Sequence, residues 1–110
     1  MNPVINQDQS VLVQELKQKY GTVYTLTVPT NDEETEHATV YLKKVDRVIY
    51  ASVSKLIQKD EMQGIESLLK SLYIGGDKVE KITDNFDALR SAEVSLRQIL
   101  SVKEGSLKKN

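Results

Sequence analysis

Apolar positions along the chain change their period several times. Leu12, Val13, Leu16 and Tyr20 recur at helical spacing, Ser10 precedes them as a candidate N-cap, and Gly21 stands where a left-handed residue can end a helix. A short helix over 10–20 is expected. TVYTLTV at 22–28 is rich in β-branched and aromatic residues and puts Tyr24, Leu26 and Val28 on one face. HATVYLKK at 37–44 alternates in the same way, with Ala38, Val40 and Leu42 opposite His37, Thr39, Tyr41 and Lys43. Between them lie Pro29 and the acidic stretch TNDEETE at 30–36, a solvated loop. The two strands make an antiparallel hairpin.

Beyond Lys44 the pattern turns helical. Val45, Val48, Ile49, Val53, Leu56 and Ile57 share a stripe that begins beside Asp46. Asp60 can cap the next helix, with Gln63 at the capping-box spacing, and Met62, Ile65, Leu68, Leu69 and Leu72 form its apolar side. Gly75 and Gly76 are expected to end that helix. DKVEKIT at 77–83 is a connector anchored by Val79 and Ile82, readable as helix or as extended chain. A final helix is expected from about Asn85 to Val102, carried by Phe86, Leu89, Ala92, Leu96, Ile99 and Leu100. The fold class is therefore α+β: a short N-terminal helix, a β-hairpin, and a helical C-terminal half of about three helices. A flexible 1–9 segment, a single domain over 10–102 and a frayed tail over 103–110 complete the expected organisation.

Composition narrows function by exclusion. The 110 residues suit one domain. Fifteen Lys and Arg against sixteen Asp and Glu leave a net charge of −1, which offers little counterion-release drive towards nucleic acid or an anionic membrane. There is no cysteine, and this removes disulfides, thiolate nucleophiles and cysteine-based metal sites. No apolar run approaches the ~20 residues that span a bilayer, and MNPVINQDQS lacks the regions of a secretory signal. A cytoplasmic location is expected.

Candidate chemistry is sparse. His37 stands beside Glu34 and Glu36, but a zinc site needs three or four converging ligands, and an ordinary surface histidine accounts for it. Asp32, Glu33, Glu34 and Glu36 lack the glycine and distal glutamate of a calcium loop. The pairs Asp60 with Glu61 and Asp84 with Asp87 fall at helix starts, where carboxylates meet the helix dipole. Gly75 and Gly76 do not belong to a G-x-x-x-x-G-K-[ST] phosphate loop and Asp77 would repel an anion, and Lys43, Lys44 and Arg47 form a small basic corner. No catalytic, cofactor or metal site is expected, and a chelator should leave the melting temperature unchanged.

A two-stranded hairpin is marginal alone, so it must pack on a helix or extend a partner's sheet. Association is expected through residues 22–28 or 38–44, with Tyr24, Leu26, Val40, Tyr41 and Leu42 on the hairpin and Leu68 and Leu72 on the helical stripe as candidate partner-binding residues. A proline at Thr25 or Thr39 tests that expectation.

Three segments carry a family resemblance: YLKKVDR at 41–47, IGGD at 74–77 and SVKEGSLKK at 101–109. A hairpin leading through Y-L-K-K-x-x-R into helices and a G-G-D turn resembles small phage and prophage proteins of the tail assembly chaperone group, over about residues 22–109. Related sequences often carry an aromatic residue just before the glycine pair, where this chain has Tyr73-Ile74. The resemblance implies a non-enzymatic assembly factor of the host cytoplasm that forms homo-oligomers, binds the tape-measure protein or another tail or virion protein, and helps tail-tube subunits polymerise. It implies no cofactor, nucleic-acid or membrane partner, and no catalytic residue. The alternative is a small virion component such as a head–tail joining protein.

Overall fold

Alternation in the two β-rich segments and helical spacing elsewhere produce eight elements in the computed structural model, which describes residues 3–101 and the side chains of residues 11–101. They are α1 (Pro3–Tyr20), β1 (Val23–Pro29), β2 (His37–Lys43), α2 (Arg47–Lys59), α3 (Glu61–Leu72), β3 (Tyr73–Gly76), α4 (Glu80–Thr83) and α5 (Phe86–Leu100). The fold is α+β with a helical C-terminal half, as the hydrophobic pattern indicates.

One boundary differs from the expectations. Helix α1 starts at Pro3, so residues 3–9 are helical and Ser10 lies inside the helix instead of capping it. A proline in the first turn loses no intrahelical bond, which permits this earlier start. The tail expected to fray at 103–110 lies outside the described residues. The connector 77–83 contains one helical turn, α4, whose Ile82 is fully buried.

The larger difference is a third strand. Helix α3 ends at Leu72 because Tyr73 is extended, and Tyr73–Gly76 pairs antiparallel with β2 to give the sheet order β1-β2-β3. Gly75 and Gly76 therefore belong to a strand and do not cap the helix. Asp77 locks the strand in place: its backbone N–H donates to Thr39 O at 2.8 Å, and its carboxylate accepts from Thr39 N at 2.8 Å. The Tyr73 hydroxyl donates to Asp77 O at 2.8 Å and closes the turn.

Helix caps follow local sequence. Asp46 accepts from Ile49 N at 2.8 Å and Asp60 from Gln63 N at 3.2 Å, each satisfying an orphan donor of the first turn. At α5 the cap is Asn85, which accepts from Ala88 N at 3.1 Å, while its amide donates to Thr30 O at 3.0 Å and ties the helix to the end of β1. Asp84 and Asp87 flank that cap.

One face of the sheet makes the core. Leu26, Val28, Ala38, Val40 and Leu42 pack with Ile65, Leu68, Leu69 and Leu72 of α3 and with Ala88, Leu89, Ala92 and Leu96 of α5. Val53 and Ile82 close its ends. Tyr41 points to the opposite face, where it is buried although it lies outside that cluster, and its ring and Leu16 of α1 both stand within about 4 Å of where a Gly75 side chain would begin. Helix α1 thus covers part of the second face, and Thr25 and Thr27 there stay exposed.

Candidate functional site

Hydrogen-bond parity in the hairpin determines which backbone groups are free. Thr30 N donates to Glu36 O at 2.8 Å, so Thr30 and Glu36 are a hydrogen-bonded pair and such pairs recur at every second residue. The register then makes Val28 with Ala38, Leu26 with Val40 and Tyr24 with Leu42 hydrogen-bonded pairs. The intervening residues, Val23, Thr25 and Thr27, direct their N–H and C=O groups away from β2. Two side observations agree with this parity. The Thr27 and Thr39 hydroxyls lie 3.0 Å apart, as suits the closer side chains of a non-hydrogen-bonded pair, and Thr39 N turns away from β1 to Asp77.

Strand β1 is an edge of the sheet. Among the described residues, no hydrogen bond from another element reaches its backbone across that edge. Its sequence, VYTLTVP, holds no charged side chain. Pro29 protects only the end of the strand, at a position whose missing N–H would have pointed outward.

Beside this edge an open groove of about 890 Å³ runs between the start of β1, the start of α2 and the end of α5. Tyr24, Leu26, Val45, Tyr50, Ile99 and Leu100 give it apolar walls, and Lys44 and Arg47 lie at its rim beside Asp46. Thr25 lines the same groove as Tyr24 and Leu26. Successive side chains of a strand point to opposite faces, so three consecutive lining residues mean that the groove reaches the strand's backbone edge. Tyr50 is 44% exposed and presents a large amphipathic ring there.

The residues singled out from the sequence divide sharply. Tyr24 is half-buried in the groove wall and Leu26 forms part of its base. Val40, Leu42, Leu68 and Leu72 are fully buried in the chain's own core, and Tyr41 is buried on the other face of the sheet, so these five side chains are already occupied within the protomer. The expectation that 38–44 offers a docking edge is likewise corrected: β2 is the central strand and pairs on both sides. Tyr50, Ile99 and Leu100 were not singled out as partner contacts. Ile99 and Leu100 read as ordinary core stripe and Tyr50 as a neighbour of the basic corner, and only the convergence of two helix ends on β1 brings them together at one surface.

Titratable groups form ion pairs on the helical side. Hydrogen bonding to Glu66 raises the pKa of Lys70, and hydrogen bonding to Glu93, followed by the charge of Glu61, raises that of Arg97. Arg97 bridges Glu93 of its own helix, at 2.9 Å, and Glu61 of α3. Among the described residues no three His, Cys, Asp or Glu side chains converge to hold a metal ion. No described helix is long and apolar enough to cross a membrane.

No protein-family model and no curated protein sequence matches the chain. Its fold is similar to the solved structure of rbstp2171, an uncharacterised protein from Bacillus stearothermophilus. The TM-score is 0.64 at 18% sequence identity, covering 88% of this chain and 99% of the other. At that identity the likeness shows the fold alone.

Proposed function

We propose that the protein is a non-enzymatic assembly factor of the tail assembly chaperone kind, working in the host cytoplasm, and that it captures a segment of the phage tape-measure protein. The observation that carries this reading is the apolar groove at the edge of the sheet. Tyr24, Tyr50, Ile99 and Leu100 line a concave surface that is open to solvent, and aromatic and aliphatic anchors of this sort dominate the energetics of protein docking. Amphipathic helices dock their apolar face into apolar grooves, and a long helical tape-measure chain supplies that conformation. Further support comes from the resemblance of YLKKVDR and IGGD to the chaperone group. Arg47 and Lys44 at the rim favour a segment with acidic residues beside its apolar anchors.

The test is co-expression with a phage tape-measure protein, followed by affinity capture. The parent chain should retain that protein, and Tyr50→Asp and Ile99→Asp should lose it while keeping the parent's circular dichroism. The protein should also be missing from purified virions. Capture that survives both substitutions removes the groove from the mechanism. A fixed number of copies in the virion identifies a structural subunit instead.

A further inference from the structure

We infer that β1 pairs with β1 of a second copy of this chain, antiparallel and about a two-fold axis, to form a continuous six-stranded sheet. This goes beyond the assembly reading and does not rest on it: the groove opens beside the same edge, but the pairing uses the backbone groups of β1 and not the apolar side chains that line the groove. Val23, Thr25 and Thr27 direct their N–H and C=O groups outward from an uncharged strand, and among the described residues no backbone hydrogen bond reaches them. An edge of this kind is a template for another strand. A register with Thr25 opposite Thr25 of the second copy sets Val23 against Thr27 and uses all three outward donors and acceptors. It also sets Pro29 opposite Gly21, beyond the paired segment, where a missing N–H costs nothing.

Charge distribution selects the occupant and its direction. The turn end of the hairpin carries Asp32, Glu33, Glu34 and Glu36, with Lys81 nearby against Glu36. The opposite end carries Lys43, Lys44 and Arg47, joined by Lys17 and Lys19 from the last turn of α1. The acidic groups at that end include Glu15 and Asp46, and Asp46 is engaged as the cap of α2. Seven strand residues separate the two poles by roughly 20 Å, beyond the ~8–10 Å reach of unscreened charge at moderate salt. Antiparallel pairing brings the acidic turn of each copy to the basic end of the other, and two-fold symmetry makes that contact twice. Parallel pairing would set like charges together. The chain is thus electrostatically complementary to itself in one orientation.

Sedimentation equilibrium of the full chain tests this. The parent should sediment at about twice 12.4 kDa, and Thr25→Pro should sediment at 12.4 kDa with unchanged circular dichroism, because the lost N–H points away from β2. Hydrogen exchange on the parent supplies a reading that needs no variant: amides of Val23, Thr25 and Thr27 should gain protection as concentration rises. Replacing Glu33 and Glu36 by lysine should weaken the dimer about tenfold at low salt, and adding Lys44→Glu and Arg47→Glu should restore it. A parent that stays monomeric, a dimer without protection at those three amides, or a dimer indifferent to the charge exchange would each overturn the arrangement.

Discussion

Two adjacent glycines in β3 occupy different environments. Gly76 has φ +99°, and a Cβ there would stand 2.6 Å from Thr39 O and 2.9 Å from Val40 Cα, both backbone atoms that cannot yield cheaply. Gly75 has ordinary room, with Leu16 Cδ1 at 3.6 Å and Tyr41 Cδ2 at 4.0 Å from such a Cβ. Gly76→Ala should therefore cost about 2–3 kcal/mol in urea denaturation, since it combines left-handed strain with displacement of β2. Gly75→Ala should change stability by less than about 1 kcal/mol, as surface and edge substitutions without a clash generally do. Gly64 plays a different part: a Cβ would fall 2.6 Å from Ile57 N, so its absence lets α3 approach α2 at their corner. Gly64→Ala should lower the denaturation midpoint by an overpacking cost of about 1–3 kcal/mol.

At the level of elements, the two strand prolines proposed from the sequence separate into different experiments. Thr25 N faces away from the sheet, whereas Thr39 N is held by Asp77 at 2.8 Å in a partly buried contact. Thr39→Pro removes a charge-assisted bond between β2 and the turn after β3, and should cost about 2–3 kcal/mol in thermal or urea unfolding. Asp77→Ala should cost a similar amount, because it leaves Thr39 N without its acceptor. Thr25→Pro should leave unfolding of the isolated protomer nearly unchanged. Equal destabilisation by the two prolines would show that the hydrogen-bond parity deduced for β1 is wrong.

For the whole molecule, stability resides in the interlock of the sheet with α3 and α5. Leu69 and Leu96 are both fully buried in it, so either change to alanine should cost about 2–5 kcal/mol in chemical denaturation. The ion pair of Arg97 with Glu61 joins α3 to α5, and that with Glu93 lies within α5, both on the surface, where solvent and side-chain entropy offset most of the attraction. Arg97→Ala should accordingly move the midpoint by less than about 1 kcal/mol. Should Arg97→Ala prove as damaging as Leu96→Ala, the helices would be held by charge more than by packing.

Local spacing determined most of the elements before any tertiary contact was known. The alternation of Tyr24, Leu26 and Val28 against Ala38, Val40 and Leu42 defined β1 and β2 to within a residue, and Asp46 and Asp60 marked two helix starts, because strand pleat and first-turn capping act over two to four residues. The third strand was not legible, since YIGG alternates too briefly to show a period and its place depends on Thr39 and Asp77, which are 38 residues apart. The candidate site was hidden for the same reason. Leu68 and Leu72 looked like an available stripe until the sheet covered them, while Tyr50, Ile99 and Leu100 became a surface only where the end of α5 and the start of α2 met β1. Sequence period says which side of an element is apolar; which part of that side stays uncovered is decided by long-range packing, where the strand and the helices compete for the same area.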